Sequence, residues 1–527
     1  RDSVHRDILV ARRIQHRPDI LAHEVDAQDR DGADSRLRHR DGPVRHRQRV
    51  GHVNVRPIAG REHALKLRVH VEVSDDANVP LTKQRGETRD ELGVGSQKRG
   101  LRLRERALRN QRIRSDLERW KYRQGHGGTA PEKREYTFRP ALRMSRRLKE
   151  TSVYIHFPWC ARKCPYCDFA TEPIRAQSLP HDAYADALLR ELHARADDLQ
   201  GRSLKSIFFG GGTPSLWDPA ALRRVLDAIR AAFDAEVDAA EVSVECNPSS
   251  LSQRNLVRLR EAGVGRVSIG VQSLRDSHLR FLGRLHDSER ALAALGEAVA
   301  EMPRVSADLM FGMPGQTQAE LDEDIARIAD TGVRHVSAYA LTVEDKTLFG
   351  SLHRAGKLRV APEEAYAEMF EGVERSFSEL GWAHYEVSNY AAKGEESRHN
   401  LHYWRGGAYV GLGAAAVGCL DSGVGRAERW RNDPNPQRYL SQRTLEVETE
   451  ELGPEELIRE SLMLGLRTQE GVDLADTERR AGRDPEAGRE REIERALSRG
   501  DLIRENGWLR VPQSRWLKLD GIVRDLF

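Results

Sequence analysis

The stretch 154–171, "YIHFPWCARKCPYCDFAT", puts Cys160, Cys164 and Cys167 in one short run of a 527-residue chain with five cysteines in all. The β-branched and aromatic run "SVYIHF", from Ser152, leads into it, so a strand is predicted to deliver three thiols to one loop. Thiolates hold tetrahedral zinc or iron–sulfur clusters. His156 offers zinc a fourth ligand, but it lies inside the strand, and closed zinc sites usually pair two short ligand clusters across a longer loop. Three thiolates in one loop suit a cubane, each holding one iron and leaving the fourth open to an external ligand. This odd, crowded set of cysteines is unlike a disulfide framework and fits a reducing compartment, so a cytoplasmic location is expected.

Beyond the loop, short β-branched runs alternate with helical periodicity, the signature of a parallel sheet built from βα units. Five more strands are predicted: "LKSIFFG" from Leu204, "EVSVEC" from Glu241, "GRVSIGVQ" from Gly265, "RVSADLMF" from Arg304 and "HVSAYAL" from His335. Helices lie between them, one at 218–235, where Asp218 before Pro219 marks a start. Such α/β repeats close into a full or partial barrel or wind into an open sheet, and in both the chemistry collects at the carboxyl ends of the strands. Those ends carry the cysteines, "GGGTPS" (210–215), Glu245, Gln272, Asp308 before "FGMPGQT", and Thr342. Singly, each has a plainer reading as a turn glycine, a helix cap or an ion-pair partner. Their recurrence at one end of six strands carries the argument.

The net charge of +3 hides an asymmetry: residues 1–143 carry 34 Lys and Arg against 21 Asp and Glu, while the remainder is at −10. That segment has no Phe, Trp or Tyr before Trp120, no cysteine and no hydrophobic period, so it cannot build much of a core. The first methionine is Met144, and the expectation is that 1–143 is translated upstream sequence, with a disordered basic tail as the alternative. No run approaches the roughly 20 apolar residues of a membrane span.

The spacing C-x3-C-x2-C, with Tyr166 before the last cysteine, resembles the signature of the radical S-adenosylmethionine (SAM) superfamily. Together with "GGGTPS", "VECNP", "SIGVQSL", "DLMFGMPGQT" and "HVSAYAL", it resembles the branch that holds the oxygen-independent coproporphyrinogen III oxidases and the HemW-type heme chaperones. The resemblance implies an α/β fold, a partial (β/α)6 TIM-like radical SAM barrel with a mainly helical C-terminal domain. It further implies a [4Fe-4S] cluster on Cys160, Cys164 and Cys167, and SAM contacts at Tyr154, Tyr166, Gly211, Gly212, Thr213, Glu245, Gln272, Arg284 and Asp308. The oxidases carry a further cysteine two residues after the third, where this chain has Phe169. The chaperone type has a motif H-N-x-x-Y-W, and here "HNLHYW" spans 399–404. Imidazole suits iron and flat rings pack a porphyrin face, which makes His399, Asn400, His402, Tyr403 and Trp404 the heme candidates, with His399 and His402 as axial ligands. From the segment alone, His399 and Asn400 bonding a loop and Tyr403 and Trp404 filling an interface between domains is the better reading, which the resemblance reverses.

The expected organisation is a radical SAM partial barrel at 144–345, an extension at 346–450 carrying the HNLHYW motif and the small, flexible run "RGGAYVGLGAAAVG" (405–418), and a small C-terminal domain at 451–527. The implied function is a heme chaperone that binds heme as cargo and transfers it to an acceptor, without coproporphyrinogen oxidase activity. The oxidase is the first alternative and a zinc-bearing RNA-binding protein a remote one. Expected partners are heme and an acceptor, a respiratory heme protein among the candidates. Peripheral contact with membrane proteins and homodimerisation are left open, and nucleic acid is not expected.

Overall fold

The computed structural model describes residues 149–233, 240–445 and 447–527, so the expectations for 1–143 lie outside the described residues. All six predicted strands form: β1 (Lys149–Phe157), β2 (Arg202–Gly211), β3 (Glu241–Cys246), β4 (Arg266–Gln272), β5 (Arg304–Phe311) and β6 (His335–Ala340). Each pairs in parallel with the next. Parallel neighbours need crossovers, and these are supplied by α1 (His181–Ala194), α2 (Pro219–Ala232), α3 (Gln253–Ala262), α4 (Asp276–Phe281) with α5 (Ser288–Glu301), and α6 (Gln318–Asp330). Helix α2 starts as read: Asp218 accepts from the Ala220 N–H and Pro219 occupies the first turn. After β6 come α7 (Leu348–Arg354) and α8 (Glu363–Glu379).

Alternation along the strands sorts side chains between two compartments. On β1, Val153, Ile155 and Phe157 join the core beneath the helices, where Phe157 meets Tyr184 of α1 edge-on. Ser152, Tyr154 and His156 take the opposite face, toward the lumen, where Ser152 and Ser206 share a 2.7 Å hydrogen bond. This division makes the lumen polar and the outer face a packed hydrophobic layer.

The 346–450 segment extends both edges of the same sheet. Antiparallel β7 (Ala383–Glu386) and β8 (Asn389–Ala391) add beyond β6. Helix α9 (Arg398–Trp404) then leads to β9 (Ala408–Leu412), which pairs in parallel with β1, and to antiparallel β10 (Val417–Gly423), β11 (Arg426–Asn432) and, after α10 (Pro436–Ser441), β12 (Val447–Leu452). The sheet thus has twelve strands in the order β12-β11-β10-β9-β1-β2-β3-β4-β5-β6-β8-β7. Strand β9 falls within the run read as flexible, and it is instead a buried seventh parallel strand. Its glycine serves close packing: a β-carbon on Gly411 would lie 2.0 Å from the Val417 carbonyl oxygen.

The C-terminal region is mainly helical, with α11 (Pro454–Gly465), α12 (Leu474–Ala481), α13 (Glu490–Ser498) and α14 (Leu519–Arg524). A three-stranded sheet joins β13 (Val472–Asp473) to the hairpin β14 (Ile503–Glu505) and β15 (Trp508–Arg510). It meets β7 and α9 through a bridge of Glu386 with Thr468 and a cluster of Trp404 with Leu464. Among the described residues no helix is long and apolar enough to cross a membrane.

Candidate functional site

The lumen opens into a cavity of about 1280 Å³, counting the part open to solvent, and all three clustered cysteines line it. Their loop leaves β1 through Trp159–Cys160, which pairs with Glu172–Pro173. Backbone bonds from the Gly212 N–H to the Phe157 carbonyl (2.7 Å) and from the Thr213 N–H to the Trp159 carbonyl (2.8 Å) tie it to the end of β2. Lys163 Nζ straps the far side, donating to the carbonyls of Phe169 (2.9 Å) and Thr171 (3.1 Å). Phe169 itself faces the cavity.

His156 shares one ring nitrogen with the Tyr154 hydroxyl and the other with the Ala170 carbonyl, both at 3.0 Å. With both nitrogens engaged it is not available as a fourth ligand for zinc. Burial pushes the Cys167 thiol up to about 12 and raises Cys160 as well. Such thiols stay neutral until a metal displaces their protons, the coupling expected of a metal-loading site. Three thiols on one cavity wall, with Arg284 Nη1 3.7 Å from Cys164 Sγ, fit a cluster that carries negative charge.

Tyr154, Tyr166, Gly211, Gly212, Thr213, Glu245, Gln272, Arg284 and Asp308 all line the same cavity. Gly211 and Gly212 leave no room for a side chain. A β-carbon on Gly211 would lie 2.6 Å from the His156 ring, and one on Gly212 would lie 2.3 Å from the Trp159 carbonyl oxygen. Their missing side chains are therefore filled by the cysteine loop and its strand. Gln272 has φ of +68°, uncommon for a residue with a side chain, where the β4–β5 register shifts. Arg284 Nη2 donates to the Gly270 carbonyl at 2.6 Å and is thereby fixed beside the cluster loop.

Glu245 accepts from the Gly211 N–H at 2.9 Å, and Asp308 accepts from the Ser268 hydroxyl at 3.0 Å. Burial, with Asp308 nearby, pushes Glu245 up to about 8, and burial raises Asp308 as well. Two carboxyl groups held toward neutrality fit a ligand that brings hydroxyl donors and positive charge, as a sulfonium nucleoside does. The stability that Glu245 contributes is fully present below its ordinary value near 4.5 and is lost as pH rises through about 8. Glu245→Gln keeps an acceptor for Gly211. It is expected to raise the unfolding free energy of the ligand-free protein at pH 8 by on the order of 2 kcal/mol, with a much smaller gain at pH 5. The same variant should bind SAM more weakly. Melting curves that shift equally at both pH values would refute this account of Glu245.

The HNLHYW motif divides. His399 and Asn400 line the cavity, whereas His402, Tyr403 and Trp404 do not. The His399 ring stacks on Phe208 (4.9 Å between centroids, 27°) and shares a 2.8 Å hydrogen bond between Nδ1 and the Ser206 hydroxyl. Burial drives its imidazole down to about 3, so it is neutral at physiological pH. His402 Nε2 bonds the Ala408 carbonyl at 2.9 Å, Tyr403 packs against Tyr409, and Trp404 is fully buried against Leu464. Sequence reasoning missed Phe208, Arg266, Ser268, Ser337 and Tyr339 as cavity residues. The signal was present, since Arg266, Ser268, Gly270 and Gln272 occupy alternate positions of one strand.

The Radical SAM superfamily model matches residues 154–328, and the HemN C-terminal domain model matches 452–517. The chain is 38% identical over 302 residues to the heme chaperone HemW of Escherichia coli, covering 57% of this chain and 78% of that protein. It is also 38% identical over 326 residues to the heme chaperone HemW of Bacillus subtilis, covering 61% and 84%. A radical S-adenosyl methionine domain-containing protein 1, mitochondrial, of Danio rerio is 36% identical, with 61% and 74% covered. Among solved structures, the coproporphyrinogen III oxidase HemN of Escherichia coli, a radical SAM enzyme, superposes with a TM-score of 0.60 at 21% identity, covering 72% of this chain and 90% of that one.

Proposed function

The chain belongs to the heme chaperone HemW family, and on that footing we propose that it binds heme and passes it to an acceptor protein while carrying a [4Fe-4S] cluster on Cys160, Cys164 and Cys167. The observation that carries this reading is the 38% identity over 78% of a heme chaperone, whereas the likeness to the porphyrin oxidase, at 21% identity, speaks for the fold alone. Phe169, where the oxidases have another cysteine, supports the same choice. An acceptor that itself needs heme, such as a respiratory heme protein, follows from the reading.

When bound, the cluster supplies an open iron that SAM can chelate and a source of single electrons. This chain's residues do the rest. Arg284 sets a positive charge beside Cys164, Glu245 and Asp308 take hydroxyl or cationic groups of SAM, and Lys163 holds the cysteine loop closed on Phe169 and Thr171. The neutral imidazole of His399, braced by Phe208 and Ser206, is the side chain of the motif best suited to meet heme iron.

Heme titration, followed by the Soret band, tests the assignment. His399→Ala is expected to weaken heme binding about tenfold or more while leaving iron and sulfide content unchanged. Unchanged heme affinity removes His399 from the site. Incubating the reduced, cluster-loaded protein with coproporphyrinogen III tests the reading as a whole, and decarboxylated product would overturn the choice of chaperone over oxidase.

A further inference from the structure

Arg266 opens β4 and is 3% exposed, yet it lines the cavity together with His399 and Asn400. Its neighbour across the ladder, Arg304, takes two carboxylates, Glu241 and Glu395. Among the described residues Arg266 forms no ion pair, and its hydrogen bond is a long one, from Nη2 to His335 Nδ1 at 3.4 Å. Burial and the nearby guanidinium charges hold His335 neutral, so it offers no compensating charge. Glu245 and Asp308 lie in electrostatic range and line the same cavity, but neither forms an ion pair with Arg266 among the described residues.

A guanidinium carries five donors in a planar fork. Buried without a partner anion it is costly, whereas pairing with a carboxylate returns charge-assisted, frequently bidentate hydrogen bonds. The cavity is therefore layered: thiols and Arg284 by the cysteine loop, two carboxyl groups at the ends and middles of β3 and β5, and a donor-rich floor of Arg266 and Asn400 beside the neutral His399.

We propose that Arg266 anchors an anion subsite on the barrel floor that takes a carboxylate of the bound cargo. This rests on the heme reading, under which the carboxylate is a porphyrin propionate. The methionyl carboxylate of SAM shares the chemistry, and the experiment separates the two.

Cluster-loaded full-length protein is titrated with hemin, with hemin dimethyl ester and with SAM. Wild type is expected to bind hemin about tenfold more tightly than the ester. Arg266→Gln should bind both alike, near the wild-type affinity for the ester, and Arg266→Lys should keep part of the preference. SAM affinity should be the same in all three proteins. Equal binding of hemin and ester by wild type overturns the subsite without recourse to any variant. A preference that survives in Arg266→Gln overturns the role of Arg266 alone. Loss of SAM binding with the hemin preference intact reassigns the arginine to SAM and overturns the proposal. Failure of wild type to bind either porphyrin sinks the heme reading itself, and this assignment with it.

Discussion

Cys164→Ser, purified and reconstituted without oxygen, is expected to lose the broad visible absorbance of an iron–sulfur cluster and to retain iron and sulfide only at background. On the proposed reading the cluster would have three protein ligands, all in one loop, and removing one would leave it two anchors. Burial raises the Cys160 thiol and pushes Cys167 up to about 12, so these two do not form a thiolate nest that captures iron by charge alone. Cys160→Ser and Cys167→Ser should behave alike. Cys419→Ser, on β10, should leave cluster content untouched. Iron and sulfide retained at wild-type levels in Cys164→Ser would exclude the three-cysteine cluster.

The second large effect is on stability. Trp404→Ala is expected to cost about 3–5 kcal/mol, the range for truncating a large buried aromatic residue. Trp404 has no exposed surface and, with Leu464, Met463 and Val387, joins α9 to α11. The loss should appear as a lower midpoint in denaturant with a similar slope. His399→Ala, by contrast, alters a side chain that faces a cavity and should change stability much less. If Trp404→Ala weakened heme binding with no loss of stability, the division of the motif drawn from the geometry would be wrong.

What was legible in the sequence followed from regular alternation. The six strands were readable because β-branched and aromatic residues recur between helix caps such as Asp218, and every residue that the family resemblance assigned to the cluster or SAM lines one cavity. Strand β9 escaped because glycine at 406, 407, 411 and 413 gives its surroundings the composition of a loop, and only the neighbouring Val417 backbone explains why Gly411 is needed. The fate of HNLHYW was hidden for another reason. A seven-residue helix wedged between β2, β9 and α11 has no single buried face, so its histidines are sorted by tertiary neighbours rather than by helical period. Arg266 was passed over because a polar residue at a strand start is ordinarily exposed.

The pairing of β1 with β9 also bears on the order in which the protein is made. Thr151 to Ile155 find their partners at Ala408 to Leu412. While the ribosome is adding the intervening residues, the strand that delivers the thiols has one bare hydrogen-bonding edge, a feature that invites aggregation. Loop closure over so long a separation is slow. The sheet wall beneath the cysteine loop is therefore completed only after residues 408–412 have been made.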